Sequence, residues 1–307
     1  MTQLMPIMLA LKQVSFGYKA NMPLSVDNIS LNLVQGSCTA ILGPNGAGKS
    51  TLISLMSGLL TAQTGHISYP FYSQYTTKKA IAQKVALVPQ DFAFYHELSV
   101  HDNLAFFVSI SEKNRSLHSN HIKSAIRACG LDDVTNKMAG SLSGGYKRRL
   151  NIAIALSKQP DIIFLDEPTV GIDPLSRDAI INLLLDLKQQ GKTLVYTSHL
   201  LHEVELLCDE VVFLNNGKVV ANELLNIQKP SLNFTTVKPL SPTQITLFTQ
   251  PITILENGGH QLKVSNSEQL ASAFIVLANL SHDIKTLTFS NSHIEQLYRD
   301  LFSESSC

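Results

Sequence analysis

The residues with the clearest chemical promise in this 307-residue chain are Gly43, Pro44, Asn45, Gly46, Ala47, Gly48, Lys49, Ser50 and Thr51. They fit the spacing G-x-x-x-x-G-K-[ST], with an apolar run before them (Ser37–Leu42) and a helical pattern after them (Ser50–Leu60). Glycines let successive backbone N–H groups turn inward and form a nest for phosphate oxygens without Cβ clashes. The positive end of the following helix points at the same place. Lys49 is placed to reach the β- and γ-phosphates of a nucleotide, and the Ser50 hydroxyl to sit on Mg²⁺.

Such a loop needs an acid at the end of a neighbouring strand to hold the metal. The run Ile162-Ile163-Phe164-Leu165-Asp166-Glu167 supplies four apolar residues and then two carboxylates. Asp166 suits Mg²⁺, directly or through water, and Glu167 suits polarising the attacking water as a general base. Adjacent residues of a strand face opposite ways, so the two acids can serve separate roles.

Leu142-Ser143-Gly144-Gly145-Tyr146-Lys147-Arg148-Arg149 resembles the signature motif of the ABC ATPase family. It repeats the phosphate-binding logic, with a hydroxyl and glycine amides at a helix N-terminus followed by basic residues. The resemblance implies that Ser143, Gly144 and Gly145 complete the nucleotide site of a second copy, in a homo- or heterodimer that sandwiches two ATP molecules. The usual fifth residue is Gln. Tyr146 followed by Lys-Arg-Arg resembles the exporter branch with separately encoded membrane subunits. Gln90, after the strand-like Val85–Pro89, matches the Q-loop glutamine, for which the family implies contact with Mg²⁺ and the attacking water. Gly171-Ile172-Asp173-Pro174 resembles the D-loop at the subunit interface, and His199 matches the switch histidine that bonds the γ-phosphate. Tyr18, with Phe16 as its competitor, stands where the family places an aromatic on adenine, a contact worth on the order of 1–3 kcal/mol. The resemblance covers about residues 8–225.

The elements that must position these residues follow from periodicity. Leu9–Tyr18 and Ser25–Val34 alternate and read as antiparallel strands. The pattern turns helical over about 91–140, with Val100–Ser109 and Ile122–Cys129 separated by the polar stretch Ser111–Asn120. Beyond it, helices Lys147–Ser157, Pro174–Gln190 and Leu201–Cys208 alternate with strands Ile162–Leu165, Thr193–Ser198 and Glu210–Asn215, which predicts a mostly parallel sheet. After Leu225 the texture changes. A hairpin is expected from Ile252–Glu256 and His260–Val264 around Asn257-Gly258-Gly259, then a helix (Gln269–Leu280), a strand (Ile284–Phe289) and an amphipathic helix (Ile294–Phe302) opened by a Ser292/Glu295 capping box. That closing helix is similar to one found in many exporter-type ATPases, which implies a regulatory or dimer-stabilising role.

Composition narrows the partners. Lys+Arg and Asp+Glu both number 24, so net charge offers no footprint for nucleic acid. The four cysteines, Cys38, Cys129, Cys208 and Cys307, share no metal-ligand spacing and suit reduced thiols. The apolar stretch Leu4–Leu11 contains Pro6 and is too short to span a bilayer, and no later run reaches ~18 apolar residues. Membrane spans would therefore belong to another chain. The expected fold class is α/β: a P-loop NTPase of ABC type over 8–225, with a mixed sheet, an antiparallel β edge and a helical insert, plus a small C-terminal α+β domain over 226–307. The expected function is that of an ATP-hydrolysing motor subunit of an ABC exporter, using ATP and Mg²⁺. It would work as a dimer with integral membrane permease subunits at the cytoplasmic face of the membrane. The alternative is a soluble ABC ATPase acting on the ribosome or DNA, which the single contiguous cassette without a heptad arm disfavours.

Overall fold

The computed structural model describes residues 5–19, 22–72, 81–225, 231–255, 258–264, 267–280, 283–290 and 293–302. The chain divides into two compact units, 1–225 and 226–307.

In the first unit, β1 (Ile7–Phe16) pairs antiparallel with β2 (Val26–Val34) on one side and with β4 (Thr64–Ser68) on the other. A second sheet has six strands in the order β5-β6-β7-β3-β8-β9. Its members are β3 (Cys38–Leu42), β5 (Val85–Val88), β6 (Ile162–Asp166), β7 (Thr193–Thr197), β8 (Glu210–Asn215) and β9 (Lys218–Leu224). All neighbours are parallel except β8 and β9. Every residue of β3 and β7 is buried, as expected of central parallel strands covered on both faces. The mixed sheet with an antiparallel edge agrees with the expected fold class.

Among the described residues this unit has the α-helices α1 (Lys49–Met56), α2 (Val100–Ser111), α3 (Arg115–Ala128), α4 (Gly144–Leu156), α5 (Pro174–Gln189) and α6 (Leu201–Leu207). Side-chain caps set the starts of four of them, α2 to α5, whereas α1 and α6 begin without one. Ser99 Oγ accepts from Asp102 N–H, Asn114 Oδ1 from Ser116 N–H, and Asp173 Oδ1 from Ser176 N–H with Pro174 in the first turn. The Asn114 cap corrects one expectation: residues 115–120 of the supposed polar connection are helical. They form the largely exposed first turns of α3, whose buried residues, Ile122, Ala125 and Ile126, come later. Helix α1 stops short of Leu60, because Gly58 takes φ 81° and the chain turns so that Leu60 N–H reaches the Ser54 carbonyl. Strands β4 and β9 were not expected. β4 contains Gly65 and His66, and β9 is an edge whose residues alternate between half-buried and exposed, carrying Lys218, Asn222 and Glu223.

The second unit is an antiparallel sheet in the order β11-β12-β10-β13, from β10 (Ser231–Thr236), β11 (Ile252–Ile254), β12 (His260–Lys263) and β13 (Ile284–Ser290). Its helices are α7 (Pro242–Ile245), α8 (Ser267–Asn279) and α9 (His293–Phe302). Leu232, Phe234, Phe248, Leu262 and Leu277 form its core, with the Phe234 and Phe248 rings stacked at 5.8 Å. The expected hairpin forms, with Ile254 opposite His260. Asn257 in its turn and Ser292 of the expected capping box lie outside the described residues. A capping box does occur at Ser241 and Gln244.

Among the described residues no helix is long and apolar enough to cross a membrane. Phe164, fully buried on β6, is part of the first unit's core. Phe164→Ala is expected to destabilise that unit by about 3–5 kcal/mol, read as a lower denaturant midpoint for its unfolding.

Candidate active site

Three strands deliver the chemical residues to one edge. β3 ends at Leu42, just before Gly43. β6 ends at Asp166, and β7 stops two residues before His199. Because β3, β6 and β7 are parallel neighbours, all three carboxyl ends open on the same side, where ligands of open α/β sheets bind.

A cavity of about 550 Å³ lies there, lined by Ser25, Asn45, Gly46, Gly48, Lys49, Ser50, Thr51, Gln90, Glu167, Val170 and His199. Residues of the loop, the Q-loop position, the acid turn and the switch position thus share one space, although the chain separates them widely. Gly48 takes φ 105°, and a Cβ there would collide with the Ser25 carbonyl oxygen. Only glycine serves at that position. Lys49 Nζ donates to the Gly43 and Pro44 carbonyls at 2.8 and 3.1 Å. Burial pushes its ammonium below the ordinary lysine range, and the nearby Glu167 and Asp166 carboxylates partly offset this.

The two acids do not alternate as a regular strand would place them. Glu167 lies past the end of β6 with φ 48°, a left-handed backbone uncommon for a glutamate. The turn brings Glu167 Oε1 to 2.5 Å from His199 Nε2. Thr197 holds both acids: its Oγ1 accepts from Glu167 N–H at 2.9 Å and donates to Asp166 Oδ1 at 2.8 Å. Asp166 itself does not line the cavity.

The donor set can be tested against Mg²⁺. Ser50, Gln90 and Asp166 offer a hydroxyl, an amide oxygen and a carboxylate, all hard oxygen donors. Mg²⁺ keeps several waters and takes one or two carboxylates plus substrate phosphates, so a sparse oxygen set beside a phosphate nest fits it.

Tyr18 and Phe16 occupy different settings. Phe16 packs on the core, whereas Tyr18 is 64% exposed, edge-on to Phe16 at 5.1 Å, with its hydroxyl 3.4 Å from Thr51 Oγ1. Gln63 brackets the turn before Tyr18 by bonding both the N–H and the carbonyl of Gly17. Ser143, Gly144 and Gly145 are not part of the cavity. They open α4, where Ser143 Oγ accepts from Tyr146 N–H at 3.5 Å. A Cβ on Gly145 would strike the Ser176 side chain, so the signature turn and the start of α5 abut closely. Tyr146 lies under the Arg149 guanidinium, 4.1 Å from its ring centre.

Several supporting residues escaped the sequence reading. Glu203 on α6 is 1% exposed, and its Oε2 accepts from Thr169 Oγ1 (2.8 Å), Tyr196 OH (2.5 Å) and Ser198 Oγ (3.0 Å). Arg177 Nε faces its other oxygen at 3.5 Å. Burial, and next the adjacent Glu203 charge, raise the Tyr196 hydroxyl's pKa well above its ordinary value, so it remains a donor. The available signal was an acid on the apolar side of a short helix, beside Val204 and Leu207.

Comparison with known proteins agrees with this geometry. Residues 26–170 match the family described as ABC transporter. That match takes in just under half of the chain and includes the loop at 43–51, the signature-like turn and both acids. A shorter match, to the family described as AAA domain, putative AbiEii toxin, Type IV TA system, covers residues 138–205. The linearmycin resistance ATP-binding protein LnrL of Bacillus subtilis is 38% identical over 196 residues, covering 64% of this chain and 63% of that protein. Nod factor export ATP-binding protein I of Rhizobium meliloti is 35% identical over 196 residues, covering 64% of this chain and 58% of that protein. The chain thus spans less than two thirds of these relatives' length. Among solved structures, cbiO1 from Clostridium perfringens, part of the ABC transporter complex cbiONQ, superimposes with a TM-score of 0.64 at 27% identity, covering 71% of this chain and 88% of that one. A dimeric ATP-binding cassette in a post-hydrolysis state, bound to ADP and Pi, gives 0.63 at 25% identity, covering 71% and 98%.

Removing the Thr197 hydroxyl tests the acid turn. Thr197→Val leaves the Glu167 N–H and Asp166 Oδ1 without this partner, at an expected cost of about 1–3 kcal/mol. The loss is expected as a lower midpoint in a thermal melt of the full chain, and an unchanged midpoint would show that neither bond contributes.

Proposed function

We propose that this ABC cassette binds ATP with Mg²⁺, hydrolyses it, and drives export through separate membrane permease subunits at the cytoplasmic face of the membrane. The observation that carries the hydrolytic reading is the Glu167–His199 pair at 2.5 Å, facing Lys49 and Ser50 across one cavity. The name of Nod factor export ATP-binding protein I supports transport and its outward direction, and both that name and that of LnrL support ATP binding.

The residues divide the labour as follows. The loop amides and Lys49 hold the β- and γ-phosphates, and Tyr18, exposed beside α1, stacks on the adenine. Ser50, Gln90 and Asp166 hold Mg²⁺, which supplies charge neutralisation for the phosphate oxygens. Glu167 accepts the proton of the attacking water, and Gln90 orients that water. His199 donates from Nε2 to Glu167 and fixes the carboxylate's direction, then serves the γ-phosphate once nucleotide is bound. Phosphoryl transfer calls for little covalent chemistry from the protein, so positioning and charge carry the rate.

Ser143, Gly144 and Gly145 stand outside the cavity of their own chain, which supports their use on the nucleotide of a second copy. The dimeric cassette with ADP and Pi among the structural neighbours supports the same arrangement. In it, ATP binding closes the pair and hydrolysis opens it.

Lys49→Ala is expected to lower ATP turnover at least about 100-fold and to weaken nucleotide binding, and normal hydrolysis by that variant would remove the loop from the mechanism. Glu167→Gln is expected to bind ATP, lose about 10²–10³ in turnover, and accumulate as a dimer on size exclusion in ATP. A monomer under those conditions refutes the sandwich.

A further inference from the structure

The signature helix α4 also reaches the backbone around Gln90. Asn151 Nδ2 donates to the Pro89 carbonyl at 3.1 Å and the Asp91 carbonyl at 3.2 Å, while its Oδ1 accepts from Ala93 N–H at 3.0 Å. Arg148 Nη1 donates to the same Pro89 carbonyl at 3.0 Å, and its guanidinium lies 5.0 Å from the centre of the Phe92 ring. Both side chains are 3% exposed. The residues on either side of Gln90 are thereby fastened to one helix face, since positions three apart on a helix are neighbours. Gln90 alone in this stretch lines the nucleotide cavity.

Buried backbone groups must find partners, and ordinary loop packing would satisfy that demand with whatever lay nearby. Here the partner is the helix that begins at Ser143-Gly144-Gly145, so one rigid rod carries two functions. Arg148 and Asn151 stand one to two turns inside it, close enough that a tilt or shift of its N-terminus is passed on within a few ångströms. Burial pushes the Arg148 guanidinium below its ordinary range, and the Asp91 carboxylate partly offsets this.

We propose that Arg148 and Asn151 are positioning residues that tie Gln90 to the signature helix, so that the seating of Ser143-Gly144-Gly145 sets where Gln90 points in its own chain's site. The inference rests on the role given above to Gln90. A signature turn engaged on the second copy's nucleotide then places the water-orienting amide of its own copy, which links the two sites without any contact between their nucleotides.

The test is a double-mutant cycle on the purified full chain, with kcat and KM for Mg·ATP and a thermal melt of each variant. Asn151→Leu keeps the volume and removes the hydrogen bonds. It is expected to lower kcat about tenfold with KM within about twofold, and Gln90→Ala is expected to lower kcat by at least as much. Combined, the two should lose no more than Gln90→Ala alone, within about twofold, because a misplaced glutamine and an absent one fail in the same way. Losses that multiply, a loss confined to KM, or unchanged turnover in Asn151→Leu each overturn the proposal. Gln90→Ala at the wild-type rate instead overturns the role of Gln90, and the coupling falls with it. Should Asn151→Leu melt far below the wild type, Arg148→Met runs the same cycle, since it removes one donor to Pro89 and leaves the Asn151 bonds in place. An about threefold loss that vanishes in the Gln90→Ala background supports the coupling, and an independent loss overturns it.

Discussion

Thr197 has a single hydroxyl and no solvent exposure, yet both acids of the site depend on it. The hydroxyl is available because β6 and β7 run parallel with Asp166 directly opposite Thr197. Packing holds that register: a slip of one residue would carry Phe164 and Val195 to the opposite face of the sheet, away from the cluster that they fill. Accepting from one backbone amide and donating to one carboxylate, Thr197 turns a strand end into a fixed corner. Glu167 can then hold an uncommon backbone conformation, whose cost the surrounding bonds offset. The distance from Glu167 to His199 follows from this corner and from the loop after β7.

Rigidity in the sheet contrasts with the way the outlying parts attach. The phosphate loop is buttressed from β8–β9, where Gly217 N–H bonds the Ala47 carbonyl and the Gly217 carbonyl takes Asp27 N–H. The Q-loop hangs from α4, and α4 abuts α5 at Gly145 and Ser176. The cavity's wall is therefore made of pieces with different anchors, and any ligand touching several of them at once would connect those anchors.

Much of this could be read from residue order, and the reasons are local. A phosphate nest needs consecutive backbone amides, so Gly43–Thr51 must be contiguous and is visible as a pattern. The apolar runs of β3, β6 and β7 are equally visible, because strands buried on both faces cannot alternate. What escaped acts at a distance. Thr197 meets Asp166 across 31 positions, and Asn151 meets Pro89 across 62, so no spacing rule reveals either. The turned backbone at Glu167 was invisible for another reason: strand alternation assumes a regular strand, and β6 ends one residue too soon. Edge strands such as β9, and short ones such as β4, lack the apolar surplus that makes central strands conspicuous. Tyr18 was favoured over Phe16 by position alone, and the packing of Phe16 against the core is a distinction that no spacing carries.

Glu203 has a wider consequence. Its buried carboxylate gathers a hydroxyl from the turn after Glu167, two groups from β7 and its exit, and a guanidinium from α5, while standing on a helix with no side-chain cap of its own. The portable unit of this fold is thus larger than its motifs. A graft that moved only the loops bearing Gly43–Thr51, Asp166-Glu167 and His199 into a foreign scaffold would leave their hidden brace behind. Thr169, Arg177, Tyr196, Ser198 and Glu203 would have to travel as a set, because each alone would bring a buried polar group without its counterpart.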